Sequence, residues 1–138
     1  MMRGTIIALI VVTVLPATTM PLEDDMLEIS FATLAEVEHR IGMYWARGCA
    51  RMETWGRTWN GTPYRTVAES QECANNPAGD PYALAMYLER DLYAISSAAV
   101  FKAISRTGDY WAYGCAAMET WGRTWNGSSF RTEVAICY

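Results

Sequence analysis

The chain has 138 residues, 11 basic and 15 acidic side chains, and a formal net charge of −4 at pH 7. The balance is acidic and the sequence has no basic stripe of the kind by which a protein holds nucleic acid, so no nucleic-acid partner is expected. A single histidine, His39, argues against a histidine-based triad, and no Cys/His cluster has zinc spacing, so neither metal nor cofactor is expected.

The chain opens with one positive charge, Arg3, and an apolar run from Thr5 through Leu15 broken by Pro16. The run is shorter than the roughly 18 to 20 residues needed to span a bilayer, and Ala17, Thr18 and Thr19 follow where a peptidase would cut. Residues 1–19 therefore read as a secretory signal peptide. The remainder, about 120 residues, is enough for one domain or two very small ones, and it has no second apolar run of that length. The expected location is extracellular, without membrane association once the signal is removed. Four cysteines in a small exported chain favour two disulfides.

An internal repeat organises the rest. The block from Tyr44 to Gly61, YWARGCARMETWGRTWNG, is echoed from Tyr110 to Gly127 as YWAYGCAAMETWGRTWNG. Outward from it, Leu22-Glu23, Asp25, Ile29-Ser30, Arg40 and Gly42 match Leu88-Glu89, Asp91, Ile95-Ser96, Arg106 and Gly108, so the unit is roughly 50 residues long. The reading is repeat unit 1 over 22–73, a linker and helix start over 74–87, and repeat unit 2 over 88–138. Each copy owns two cysteines, Cys49 and Cys73 in the first and Cys115 and Cys137 in the second. Pairing within each copy would close a loop of about two dozen residues worth very roughly 3 kcal/mol. The rival arrangement joins Cys49 to Cys115 and Cys73 to Cys137 across a pseudo-twofold axis.

In the first copy Leu27, Phe31, Leu34, Val37 or Glu38, and Ile41 form a helical stripe ending near Gly42. In the second, Asp80 is a natural N-cap and Pro81 a natural first helical residue. Leu84, Leu88, Leu92, Ile95 and Ala99 continue the helix to Arg106, and Gly108 is the expected stop. The block after each helix supports two readings. As a helix, Trp45, Gly48, Met52, Trp55 and Trp59 share a face; as a hairpin, Arg57–Trp59 and Tyr64–Thr66 flank the turn pair Asn60-Gly61, repeated as Asn126-Gly127. The favoured reading combines them: a short cysteine-bearing helix from Tyr44 to Glu53, then a hairpin. The predicted class is a small, disulfide-linked α+β protein of two pseudo-symmetric repeats, with a mostly helical protein as the alternative.

Carboxylates at matching positions, Glu53 and Glu119, stand four residues before Arg57 and Arg123, the spacing of a surface helix pair. A glycosidase would need two carboxylates across one cleft, which nothing in the sequence arranges. All six tryptophans belong to the repeated block. In a domain this small they are expected first as core, and as a recognition surface second: Trp55, Trp59, Trp121 and Trp125, with Arg57 and Arg123, are the candidate binding residues for an extracellular protein or glycan. Asn60-Gly-Thr62 and Asn126-Gly-Ser128 are glycosylation sequons at the predicted turns.

The stretch Phe101-Lys-Ala-Ile104, Thr107-Gly108 and Tyr113-Gly-Cys115 resembles the first helix and calcium loop of secretory phospholipases A2. The adjacent cysteines and His-Asp dyad of that family have no counterpart here, where Glu133-Val-Ala-Ile-Cys137 stands instead, so the resemblance implies a degenerate protein that has lost both calcium and catalysis. The expected function is non-enzymatic: a secreted binding or structural protein of matrix or coat, or alternatively a secreted effector such as a venom, salivary or defence protein.

Overall fold

The computed structural model describes residues 10–14, 21–70, 82–124 and 127–138. In chain order these form β1 (Ile10–Val14), α1 (Pro21–Met43), β2 (Arg47–Thr58), β3 (Pro63–Ser70), α2 (Tyr82–Asp109), β4 (Ala112–Arg123) and β5 (Ser129–Cys137). The fold is α+β: two helices on a four-stranded antiparallel sheet in the order β3-β2-β4-β5, with β1 added at the β3 edge. Cys73, the linker over 74–81 with its Asp80 cap and Pro81, Trp125 and Asn126 lie outside the described residues.

Both expected helices are present. The buried face of α1 is Leu22, Met26, Ile29, Leu34, Val37 and Ile41, while Phe31 is exposed. The apolar stripe thus lies partly off the Leu27–Phe31 line. Among the expected α2 positions, Leu88, Leu92, Ile95 and Ala99 are buried. The helices are tied by reciprocal bonds. The Tyr44 hydroxyl donates to Asp91 Oδ2 at 2.7 Å and the Tyr110 hydroxyl to Asp25 Oδ2 at 2.6 Å, with Arg40 and Arg106 on the same carboxylates at 3.3 and 3.2 Å.

α1 ends at Met43, next to Gly42 as expected, and α2 at Asp109, one residue past Gly108, but in neither helix is the glycine the left-handed residue that closes the end. The α1 C-terminus closes through Ala46 N–H to the Ile41 carbonyl at 3.1 Å and Trp45 N–H to the Gly42 carbonyl at 2.9 Å. That pair of bonds puts the left-handed residue at Trp45, with φ 59°, and Trp111 repeats it with φ 58°.

The expected short helix from Tyr44 to Glu53 is replaced by a strand. Cys49 lies in β2 and Cys115 in β4, so the cysteine-bearing unit is extended in both copies. The physical reason is a two-residue alternation: Ala50, Met52 and Thr54 are buried, while Arg51 and Glu53 are half-buried and Trp55 is exposed. The expected hairpin extends through the whole block, turning at Gly61 (φ 89°) and Gly127 (φ 92°). The mostly helical alternative is excluded by the sheet.

The halves meet along β2 and β4, where Met52 faces Met118 and both belong to one hydrophobic core with the two helices. Gly56 pairs with Gly114, and Gly48 with Gly122. A Cβ on Gly114 would stand 2.0 Å from the Tyr64 hydroxyl, and one on Gly122 would stand 2.7 Å from the Phe130 ring. The four glycines leave room for those two rings. Beside them, buried threonine hydroxyls pair across the hairpins, Thr54 with Thr66 at 2.7 Å and Thr120 with Thr132 at 2.6 Å. Each pair satisfies two buried hydroxyls.

Cys115 and Cys137 are opposite one another on β4 and β5 and form a disulfide. Cys49 is also disulfide-bonded, and Cys115–Cys137 excludes the exchange of Cys49 with Cys115. Ile10–Val14, within the segment expected to be a leader, pairs antiparallel with Thr66–Ser70.

Candidate ligand face

Both helices pack against the face carrying Ala50, Met52, Ala116 and Met118, which leaves the other face of β2, β3, β4 and β5 without a covering helix or strand among the described residues, although Cys49 and Val67 on that face are buried. Strand register arranges that open face in rows. Arg47 stands beside Arg123, Cys49 beside Trp121 and then Arg131, Arg51 between Glu69 and Glu119, and Trp55 between Arg65 and Cys115; Arg57 stands beside Tyr113.

The rows hold a screened ionic lattice. Arg51 lies 3.1 Å from Glu53 and 3.3 Å from Glu69; Arg65 lies 2.7 Å from Glu53. Arg131 bonds Glu119 and lies 3.7 Å from Glu133. The hydrogen bond and charge of Glu119 hold the Arg131 guanidinium above its usual pKa. Glu53 and Glu119 therefore do not form the helix pairs with Arg57 and Arg123 that their spacing predicts. On a strand the spacing carries those arginines away, and they donate instead to turn carbonyls, Arg57 to Gly61 at 3.1 Å and Arg123 to Gly127 at 3.0 Å.

The expectation that the tryptophans are core is corrected for the five that are described. Trp45 and Trp111 are each 77% exposed and Trp59 is 72% exposed; Trp55 is also exposed and Trp121 half-buried. The cause is steric. The inward slots of β2 and β4 are filled by glycine, alanine, threonine and methionine, and the intervening tryptophans must point outward. Trp55 and Trp121 share the open face on adjacent strands, about 20 Å apart along the strand direction at ~3.3 Å per residue. Trp59 sits near the first turn with Asn60, whose Oδ1 accepts from the Thr62 hydroxyl at 3.1 Å. Two residues were missed in sequence: Arg47, which faces Arg123 across the strands, and Tyr113, which faces Arg57. Arg47 and Tyr113 occupy a position at which the two otherwise near-identical blocks differ, so the repeat pattern carries no signal for them.

His39 is exposed on α1. Between the helices runs a groove of about 730 Å³ lined by Ala32, Ala94 and Ala98 with Glu36 and Lys102; it holds none of the candidate binding residues. Among the described residues no three His, Cys, Asp or Glu side chains converge, and no helix is long and apolar enough to cross a membrane. Tyr113-Gly-Cys115, matched above to a phospholipase calcium loop, is part of β4. Comparison with known proteins returns no match: no family model, no curated protein and no solved structure.

Proposed function

We propose that this chain is a secreted, non-enzymatic binding protein of matrix or coat type, built from two pseudo-symmetric repeats, and that its ligand surface is the open sheet face. The observation that carries this reading is that both helices sit on one side of the sheet, leaving Trp55 and Trp121 on the other among arginines. Flat aromatic planes next to charged hydrogen-bond donors suit a sugar ring or a partner protein. Two such planes on one rigid sheet favour an extended ligand that spans them, because the second contact then forms at high effective concentration. Supporting the symmetric arrangement, Met52 pairs with its own repeat counterpart Met118, and the Tyr44–Asp91 and Tyr110–Asp25 bonds are equivalent.

In the same reading residues 1–19 are removed on export, taking β1 from the β3 edge, and Asn60 and Asn126 carry glycans. The charge engagement of Glu53 and Glu119 by arginines supports a binding role over acid–base chemistry. A glycan array together with retention on insoluble chitin and cellulose tests the proposal. Wild-type protein binds a defined glycan and the Trp55→Ala/Trp121→Ala double variant loses that binding while remaining folded. Equal binding by the double variant, or no glycan retained at physiological salt, counts against the sheet face as a glycan site.

A further inference from the structure

Charge on this protein is divided between its two layers. The open sheet face carries six arginines (Arg47, Arg51, Arg57, Arg65, Arg123 and Arg131) against four glutamates (Glu53, Glu69, Glu119 and Glu133), a balance of 6 − 4 = +2. The described helices carry Glu23, Asp24, Asp25, Glu28, Glu36, Glu38, Glu89, Asp91 and Asp109 against Arg40, Arg90, Lys102 and Arg106, or 4 − 9 = −5. The net acidity of the chain is thus a property of the helical layer, and it hides a face of the opposite sign.

On the sheet face every glutamate is matched to an arginine: Glu53 and Glu69 to Arg51, Glu53 also to Arg65, and Glu119 and Glu133 to Arg131. The arginines left without a carboxylate among the described residues are Arg47, Arg57 and Arg123, all near strand ends. Arg47 and Arg123 are directly opposite in the β2–β4 register, and like charges in that position oppose sheet formation. Arg123 is held by its bond to the Gly127 carbonyl, while Arg47 is exposed with no ion pair among the described residues. Trp121 lies on the next outward row from Arg123. The combination is two arginines on directly opposite strand positions, next to an aromatic side chain on the same face.

Resting on the proposed function, we infer that the ligand of the sheet face is an anionic linear glycan, sulfated or uronic. The Arg47–Arg123 pair takes a sulfate or carboxylate group and Trp121 stacks on the adjoining ring. Arginine suits this task because its planar fork donates two parallel bonds to either anion. The opposite end of the face, where Arg57 stands beside Tyr113 in place of a second arginine, offers a single guanidinium and is the weaker anion contact. The ligand consequently binds with a polarity, its charged groups weighted toward the Arg47 end.

The test is a binding series with heparin, polygalacturonate, neutral cello-oligosaccharides and duplex DNA, at low and physiological salt, using wild type, Arg47→Gln and Arg57→Gln. Arg47→Gln is the informative change, because it removes a charge without touching a described bond. Retention of heparin or polygalacturonate that falls with salt, and at least about fivefold weaker binding by Arg47→Gln than by Arg57→Gln, is the expected result. Salt-insensitive binding of neutral oligosaccharides that is lost in Trp55→Ala/Trp121→Ala would overturn the anionic ligand and leave the proposed function standing. Unchanged affinity in Arg47→Gln, or tighter binding of duplex DNA than of either anionic glycan, would also overturn the inference. Failure of every glycan, charged or neutral, would remove both readings.

Discussion

At one end of the sheet the Tyr64 ring lies over Gly56 and Gly114, and at the other the Phe130 ring lies over Gly48 and Gly122. The two hairpins fill equivalent spaces with rings that differ by one hydroxyl. Inward positions of β2 and β4 are the same in both copies: Gly48 and Gly114, Ala50 and Ala116, Met52 and Met118, Thr54 and Thr120, Gly56 and Gly122. The differences, Arg47 against Tyr113 and Arg51 against Ala117, point outward. Packing accounts for the constant inner face, while the outer face has two ends with different chemistry.

The comparison breaks most sharply at the glycines. Gly114→Ala places a Cβ 2.0 Å from the Tyr64 hydroxyl and 2.5 Å from the Trp55 carbonyl oxygen, and the backbone atom cannot step aside. A loss of about 3 kcal/mol or more is expected in urea unfolding. Gly108→Ala, which meets nothing within 4 Å near the end of α2, is the control and is expected to be neutral or to stabilise by about 0.5 to 1 kcal/mol. Equal tolerance of both alanines would mean that the ring does not occupy the glycine gap.

The paired helix ties provide the next contrast. The Asp25 carboxyl is held below its usual pKa, first by the Tyr110 hydroxyl and then by Arg106, against an opposing desolvation. Its contribution to stability is fully present above the unfolded carboxyl pKa, about 3.9, and disappears as the pH falls through the lower folded value. Hydrogen bonds to Asp91 and Asp25, respectively, raise the Tyr44 and Tyr110 phenols above the usual value. Their contribution is present below about pH 10 and is lost as the pH rises through the folded values. Thermal melts across pH should find Asp25→Asn less sensitive to acid than wild type. An unchanged acid limb would detach Asp25 from acid stability.

Both helices, the hairpin turns and the pairing of Cys115 with Cys137 were legible because each rests on a local signal: apolar spacing, Asn-Gly and economy of loop closure. The extended conformation of Arg47–Glu53 was not. Its inward alternation is written in Gly48, Ala50, Met52 and Thr54, and only Met52 is a large apolar residue. Threonine there is made acceptable to a core by a partner threonine twelve residues on, a long-range fact with no local mark. For the same reason the tryptophans read as core: their size suggests burial, yet the sheet interior is already filled by Tyr64, Phe130 and the helices. The open face was half legible, through Trp55, Trp121, Arg57 and Arg123, but its charge pairing depends on a register that sequence spacing does not give.

The left-handed tryptophans at the ends of the two helices test whether exposure has a purpose. A non-glycine residue in this conformation costs about 1 to 2 kcal/mol, and Trp45 is too exposed to regain that by burial. Trp45→Gly and Trp111→Gly are each expected to raise stability by about 1 kcal/mol in chemical denaturation. A loss instead would reveal packing that compensates for the strain.

The smallest contrast returns to the two rings. Tyr64 is buried and its hydroxyl makes no hydrogen bond of good geometry among the described residues; burial raises the phenol pKa, opposed by a smaller, weaker-geometry hydrogen-bond contribution from Thr107. Phe130 fills the equivalent place without a hydroxyl to satisfy. Tyr64→Phe should therefore be neutral or stabilising by about 0.5 to 1 kcal/mol, because it removes a desolvated group while keeping the ring over Gly56 and Gly114. The reciprocal Phe130→Tyr should destabilise by a similar amount, as a new hydroxyl would enter the space where Gly48 and Gly122 already meet the ring tip. Opposite signs from two like-sized exchanges would establish that both sites need the ring and neither needs the oxygen. If Tyr64→Phe instead loses stability, the Tyr64 hydroxyl is bonded in solution, and Thr107 is the side chain to which it would be traced by the Tyr64→Phe/Thr107→Val double-mutant cycle.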